Sequence, residues 1–338
     1  MYLRDLSVKG HHQIYQKSLS KIKCTILQND ELELNFKKDG IKYFFKISNY
    51  LKKIQTEDVH YLTLDFLYKY PLIKKLNKNR VVIGTLHKEP NNYLKKILLK
   101  NFSKKISKII VHSEFTKVEL NKIGILNVEV IEYPSFYDYS KLKKEDLKKY
   151  EKLEEKIVIS CLGGTRFDKG LDILLEAFEY MDKNIKNKIV LNIVGKEESF
   201  QRDYIQKISK KNNINLRERY GFVTDEDFLK NVLLTDIMVM PYRKIFGGNS
   251  GPMTEAIVNK IPSLVPKEMN IGLLTEKYDL GETFEAENPQ NLAKVLSEMI
   301  EEKKEYFKTE YDKKLTLDNF LKKHEELYRN ENSLCSNR

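Results

Sequence analysis

Three junctions between apolar runs and helical patterns carry residue types that hold anions and sugars. The first is Gly163-Gly164-Thr165-Arg166-Phe167-Asp168-Lys169-Gly170, between Ile157–Leu162 and a helical stretch from Leu171. Glycines let main chain approach a ligand, and two cations at a helix start, Arg166 and Lys169, favour an anionic group. The spacing is not that of a Walker loop, and an ordinary turn with exposed charges would share this composition. The second junction is Phe246-Gly247-Gly248-Asn249-Ser250-Gly251-Pro252-Met253-Thr254-Glu255-Ala256. Ser250 or Gly251 suits an N-cap and Pro252 pre-sets the first turn, so the amides of this segment and the positive end of the helix dipole make an anion site without side-chain charge. Glu255 then reads either as a dipole-compensating carboxylate or as an acceptor for a sugar or ribose hydroxyl. The third junction, Tyr220-Gly221-Phe222-Val223, offers main chain to a base.

The first half has fewer candidates. His87 closes the apolar run Val81–Leu86, where a parallel strand would present it to a ligand, although a lone histidine is more often structural. Ser113 and Glu114 end Lys108–His112 in the same way, and Gly10 with His11 and His12 suits a loop before a first helix. Neither Cys/His spacing for zinc nor a calcium loop is present, and the nucleophile-elbow and zincin motifs are missing. Cys24, Cys161 and Cys335 are far apart, which fits a reducing compartment better than a disulfide framework.

The elements that would position these residues alternate regularly. β-Branched runs at Lys23–Leu27, Val59–Leu64, Val81–Leu86, Lys108–His112 and Val128–Ile131 are interleaved with helical stretches such as Asn92–Lys105 and Glu114–Ile123. Tyr137–Lys156 is charged, tyrosine-rich and without strand character, and reads as a linker. The alternation then restarts with strands at Ile157–Leu162, Ile189–Val194, Leu216–Gly221, Ile237–Met240 and Ile261–Val265. Leu171, Leu174, Leu175 and Phe178 give one apolar helix face. Strand–helix alternation of this kind predicts α/β architecture: two Rossmann-like doubly wound domains facing across a cleft, with ligands beyond the carboxyl ends of the strands. The expected boundaries are 1–148 and 149–314, with a helix at 315–330 crossing back to the first domain and a frayed tail at 331–338.

Length and composition agree. The 338 residues suggest two domains, and 41% hydrophobic content with 32% charged residues excludes global disorder. The N-terminus lacks the apolar region of a secretory signal, and no apolar run is long enough to span a bilayer, so the expected location is cytoplasmic. The net charge of +11 is unevenly placed: residues 1–150 carry 30 Lys and Arg against 16 Asp and Glu, a net of +14, and residues 151–338 carry 30 against 33, a net of −3. Lys69–Lys108 alone holds twelve bases and one acid, Glu89. A solvated Lys-rich surface explains the bases but not the asymmetry; a peripheral contact with an anionic membrane explains both. Nucleic-acid binding is disfavoured, because no recognition module is visible and the second half is not basic.

With these residues in place, the second half resembles the donor domain of GT-B fold glycosyltransferases of the large group-1 (family 4) class. The similarity lies in GTRFDKGLDILLEAF from Gly164, LNIVGKE from Leu191, YGFVTDEDF from Tyr220, TDIMVMPY from Thr235 and SGPMTEAIVNKIPSLV from Ser250. In the first half, VVIGTLHKEP and IIVHSEFTKVELNKIGILNVEVIEYP are also similar. The resemblance implies a transferase that moves a hexose-type sugar from a nucleotide diphosphate to a glycan or lipid-diphosphate-linked acceptor, with retention and without a metal or other cofactor, in cell-surface polysaccharide or glycoconjugate synthesis. It places Arg166 and Lys169 on the diphosphate, assisted by the amides of Ser250, Gly251, Pro252, Met253 and Thr254. Glu255 falls on the ribose, Phe222 and Val223 on the base and His87 near the reacting sugar carbon, with Gly10, Gly164, Gly195 and Asn249 completing the donor site. Two departures stand out. The family usually has a second glutamate where this chain has Gly247, and Arg166 and Lys169 are closer together than usual. A nucleotide-sugar epimerase of the same fold, and a non-catalytic nucleotide-sugar-binding subunit, are the rival readings.

Overall fold

The computed structural model describes residues 1–5, 12–23, 25–28, 57–69, 80–221, 223–246, 250–302 and 304–336, together with Lys42, Phe45, Lys46 and Asn49. The chain divides into two compact units. One comprises Met1–Phe136, Gly247–Asn249 and Thr316–Arg338; the other comprises Tyr137–Phe246 and Ser250–Leu315.

In the first unit, strands β1 (Tyr2–Arg4), β2 (Ile26–Gln28), β3 (Val59–Tyr61), β4 (Val82–Thr85), β5 (Lys108–Val111) and β6 (Val128–Val130) form one sheet in the order β2-β1-β3-β4-β5-β6. Every described pairing in it is parallel. Parallel strands are covered on both faces, which is why they read as continuous apolar runs. Side chains alternate between two cores: Val82, Ile109, Val111 and Val128 pack on one face, and Leu3, Ile83 and Ile110 on the other. Helix α1 (His12–Leu19), α2 (Leu64–Leu67), α3 (Tyr93–Ser103) and α4 (Glu114–Lys122) follow their strands. Asn92 caps α3 by accepting from the Lys95 amide at 2.9 Å, and Ser113 caps α4 through the Phe115 amide at 3.2 Å. Ser113 therefore serves as a helix cap.

The second unit contains β7 (Ile157–Leu162), β8 (Ile189–Gly195), β9 (Leu216–Tyr220), β10 (Ile237–Val239), β11 (Ser263–Pro266) and β12 (Gly281–Phe284), in the order β12-β11-β10-β7-β8-β9. Counted within this unit the order is 3-2-1-4-5-6, the doubly wound arrangement whose direction reverses between β7 and β10. The helices α5 (Lys144–Tyr150), α6 (Leu171–Ala177), α7 (Lys183–Lys188), α8 (Arg202–Lys211), α9 (Asp225–Leu234), α10 (Gly251–Val258), α11 (Asn270–Tyr278) and α12 (Pro289–Glu302) belong to it. Leu171, Leu174 and Leu175 of α6 join the core on one face of the sheet; Met253, Ala256 and Ile257 of α10 join the core on the other. The chain thus leaves β7 and β10 in opposite directions and opens a crevice at their carboxyl ends.

Two expectations change. Tyr137–Lys156 is part of the second unit: α5 lies within it, and Lys144 and Lys148 both pair with Asp236, at 2.8 and 2.6 Å. The C-terminal helix α13 (Leu317–Ser336) runs past 331, where fraying was expected. Helix propagation adds one hydrogen bond per residue at little further cost. Phe320, Leu327 and Tyr328 of α13 pack with Leu3, Tyr15 and Ile110 of the first unit. Among the described residues, no helix is long and apolar enough to cross a membrane.

Three of the described histidines are buried in the first unit. His60 joins the Tyr328 hydroxyl at 2.6 Å and Thr85 at 2.8 Å, while His112 Nδ1 donates to the Ile131 carbonyl and His324 Nδ1 to the Phe320 carbonyl. The Nε2 atoms of His112 and His324 have no hydrogen-bond partner. Burial holds all three rings neutral; His324 is lowered to about 4, and His60 and His112 are well below the ordinary range. The unfolded chain takes up these protons below about pH 6.5, whereas the folded chain refuses them. Stability is therefore complete above that pH and falls as pH drops towards 4. Urea unfolding from pH 7 to 4.5 should show this loss. His324→Leu should remove about 2–3 kcal/mol of the pH dependence; an unchanged slope would contradict the assignment.

Candidate active site

The site is built at the reversal between β7 and β10. After Leu162 the chain makes a left-handed turn at Gly163 (φ 106°), passes through a single 3-10 turn at Phe167–Lys169, and enters α6. The positive φ is what calls for glycine at 163, and the Lys169 ammonium lies against its Cα. Gly195 ends β8 beside this loop: the Gly163 amide donates to the Val194 carbonyl at 2.8 Å, and Gly221 donates to Gly195. The loop after β8 is laced to the loop after β7. Thr165 Oγ1 donates to the Phe200 carbonyl and accepts from the Glu198 amide, both at 2.8 Å, and Ser199 Oγ accepts from the Phe167 amide.

Lys169 is half-buried, and its ammonium has no hydrogen-bond or ion-pair partner among the described residues. Loss of solvent pushes its pKa below the ordinary lysine range, and the nearby Arg166 adds to this. A desolvated cation without a partner is costly, and a bound anion removes the cost. Arg166 is placed differently: it is half-exposed and holds Asp168 in a two-pronged pair at 2.9 and 2.7 Å. Exposed pairs of this kind contribute only about 0–1 kcal/mol, so Arg166 can exchange Asp168 for a phosphate cheaply. The Glu198 carboxylate lies beside Gly164, a charge not anticipated from sequence. Cys161, near Lys169, is buried with its thiol pushed up to about 11, which makes it a packing residue.

Facing the same crevice, Ser250 caps α10 and accepts from the Met253 amide at 3.3 Å. The five residues expected to supply amides are not equivalent. Pro252 has no N–H, Met253's is taken by Ser250 Oγ, and Thr254's is taken by the Ser250 carbonyl at 3.1 Å. From Gly251 to Thr254, only Gly251 keeps an amide that no described residue takes, and the space around its Cα is open. The Ser250 hydroxyl also joins the Tyr242 hydroxyl at 2.9 Å.

Glu255 is buried in the first turns of α10, and its Oε2 accepts from the Tyr139 hydroxyl at 2.8 Å. A carboxylate so buried persists because it is hydrogen-bonded. Burial and the neighbouring Glu255 charge raise the Tyr139 pKa, which keeps this phenol a donor. Tyr139 comes from the segment read as a linker; its only sequence signal was the cluster of tyrosines there. Val223 is half-buried against the core that carries α10. His87 lies in the first unit after β4. Its Nε2 donates to the Leu62 carbonyl at 2.8 Å, and its amide donates to the buried Asp65. Within the second unit the structure brings together Gly164, Arg166, Lys169 and Gly195 at one strand end, and Ser250, Gly251, Pro252, Met253, Thr254 and Glu255 at the other. Gly10, Phe222, Asn249 and the substituted Gly247 lie outside the described residues.

The architecture has solved counterparts. HepE of Anabaena, determined in complex with UDP, superposes with a TM-score of 0.73 at 13% identity, over 97% of this chain and 99% of that one. Sucrose-phosphate synthase of Thermosynechococcus elongatus gives 0.75 at 12% identity, over 99% and 100%. WaaG, a glycosyltransferase involved in lipopolysaccharide biosynthesis, gives 0.60 at 12% identity, over 95% and 94%. At these identities the likeness establishes the fold they share, which is the GT-B fold expected from sequence. A search of curated proteins finds no match. The family model for glycosyl transferases group 1 matches residues 143–315, a little over half of the chain, and covers both faces of the crevice just described. This protein therefore belongs to the group 1 glycosyl transferases.

Proposed function

We propose that the protein transfers a hexose-type sugar from a nucleotide diphosphate to a glycan or lipid-diphosphate-linked acceptor, with retention and without a metal, at the cytoplasmic face of an anionic membrane. The observation that supports this most is the unpartnered, half-buried ammonium of Lys169 at the switch point of the second sheet. Glycosyl transfer requires stabilising a departing diphosphate while positive charge grows on the sugar ring. Fixed charges do this best where water is excluded, because they need not reorganise as the reaction proceeds. In this reading Lys169 and Arg166 take the phosphates, the Gly251 amide and the α10 dipole assist, Glu255 holds a ribose hydroxyl, and His87 serves the transferred sugar. HepE has also been determined in complex with UDP-glucose, a donor of the class proposed here.

The acceptor surface is assigned to the first unit on the strength of α3. This helix exposes Tyr93, Leu94 and Ile97 beside Lys96 and Lys100, with no acidic residue in its first turn. Apolar side chains flanked by lysines are suited to the interface of an anionic bilayer, at about 1 kcal/mol per base near the surface. Lys74, Lys75 and Lys78 of the basic stretch lie outside the described residues.

Three outcomes follow. Lys169→Ala should lower turnover about 10²–10³-fold with any donor the protein accepts, measured by nucleoside diphosphate release; an unchanged rate would sink the assignment. Tyr139→Phe should weaken donor binding about tenfold or less through Glu255, read by titration calorimetry, and equal affinity would remove Glu255 from the donor site. The full chain should float with phosphatidylglycerol vesicles at low salt and not with phosphatidylcholine vesicles, and Leu94→Glu with Lys96→Glu should abolish flotation. Flotation indifferent to vesicle charge would contradict the membrane assignment.

A further inference from the structure

The loop after β10 sends two consecutive side chains to the two halves of the crevice. Tyr242 turns inward, where its hydroxyl meets the Ser250 cap of α10 at 2.9 Å and its ring packs on Phe246 at 4.2 Å. Arg243 turns towards the loop after β7. Its Nη1 donates to the Phe167 carbonyl at 2.6 Å and to Asp172 Oδ1 at 3.0 Å, and its Nη2 donates to Asp172 Oδ2 at 2.6 Å. The guanidinium lies 3.9 Å from the centre of the half-exposed Phe167 ring, and the Arg243 amide donates to the Asp168 carbonyl at 2.9 Å. Glu287 stands 3.7 Å from its Nε. Between these contacts, Gly170 (φ 64°) lies so close to the Pro241 carbonyl that any Cβ would strike it.

We propose that Tyr242 and Arg243 form a brace that sets the spacing between the Arg166–Lys169 loop and the N-terminus of α10, and that Arg243 is a positioning residue for the diphosphate. Its side chain is only 11% exposed, and its fork is committed to Asp172 and Phe167. It therefore acts through the loop rather than by touching the ligand. The planar fork matters: a point charge could satisfy Asp172 or the Phe167 carbonyl, but not hold both while lying over the ring. Without the brace, Lys169 and Arg166 would still be present but would sample several positions, and the preorganisation on which anion binding depends would be lost.

This inference rests on the donor-site reading above. The test uses the full chain with UDP, GDP and ADP, carrying forward whichever binds best. Titration calorimetry measures affinity, and amide hydrogen exchange of the ligand-free protein follows residues 166–170. Arg243→Ala should weaken nucleoside diphosphate binding by about 10–100-fold and accelerate exchange in that loop but not in β8. Arg243→Lys, which keeps the charge and the fold, should fall between it and the parent. Asp172→Asn should weaken binding in the same direction, and the double variant should bind no more weakly than Arg243→Ala alone, as expected for two residues acting through one contact. Unchanged affinity in Arg243→Ala and Arg243→Lys would overturn the brace. So would a large loss in Arg243→Ala with none in Asp172→Asn, which would make Arg243 a direct ligand contact. Failure of the parent protein to bind any of the three nucleotides would overturn the donor-site reading and this inference with it.

Discussion

A half-buried ammonium group with no hydrogen-bond or ion-pair partner among the described residues is the constraint on which the rest of the second unit depends. Lys169 occupies that position. Desolvation works against its charge, so the surrounding structure must hold it there by other means: the left-handed turn at Gly163, the 3-10 turn at Phe167–Lys169, and the hydrogen bonds from the loops after β8 and β10. Those contacts are strong because they are multiple and because they are anchored in the cores under α6 and α10. On the proposed reading, an anion entering the crevice relieves an existing penalty instead of ordering a flexible side chain. Arg166 complements this by the opposite strategy. It is exposed, its ordinary partner is Asp168, and exchanging that partner costs little.

Two glutamates near the crevice have different physical circumstances. Glu255 is buried and carries a phenolic donor, Tyr139, which keeps it hydrogen-bonded where water cannot reach. Glu198 lies beside Gly164 and within electrostatic range of Arg166 and Lys169. Its negative charge moderates the positive field of the loop, so that the net attraction for an anion is set by position rather than by the number of cations. The same lesson applies to the whole chain. Its surplus of +14 resides in residues 1–150, whereas the cations that face the crevice belong to the half with a net charge of −3.

Much of this was legible in the sequence, for identifiable reasons. Buried parallel strands are apolar on both faces, so IVISCL and IVLNIV read directly as β7 and β8, and the spacing of Leu171, Leu174 and Leu175 read as the buried face of α6. The glycine-rich junctions were visible because close backbone approach leaves a compositional trace. What escaped depends on long-range contacts. Tyr137–Lys156 looked like a linker because α5 is held by ion pairs from Lys144 and Lys148 to Asp236, 88 positions from Lys148 in sequence. Strand β12, GETF, lies at the edge of its sheet and is mostly half-buried, so it lacks the apolar run that marks the interior strands. Arg243 gave no local signal, because its partner Asp172 is 71 residues away. The expected row of amides from Ser250 to Thr254 is reduced for a local reason: the cap that starts α10 takes up the Met253 amide, and Pro252 has none to offer.

On the proposed reading, Lys169 has no partner among the described residues because a diphosphate supplies one. Lysine-selective isotope labelling and NMR, with the Lys169→Met variant used to assign its signal, would measure the titration of this ammonium directly. In the free protein Lys169 should titrate below the ordinary lysine value of about 10.4, and a saturating nucleoside diphosphate should raise it. A Lys169 that titrates identically with and without bound nucleotide would rule out its contact with the diphosphate.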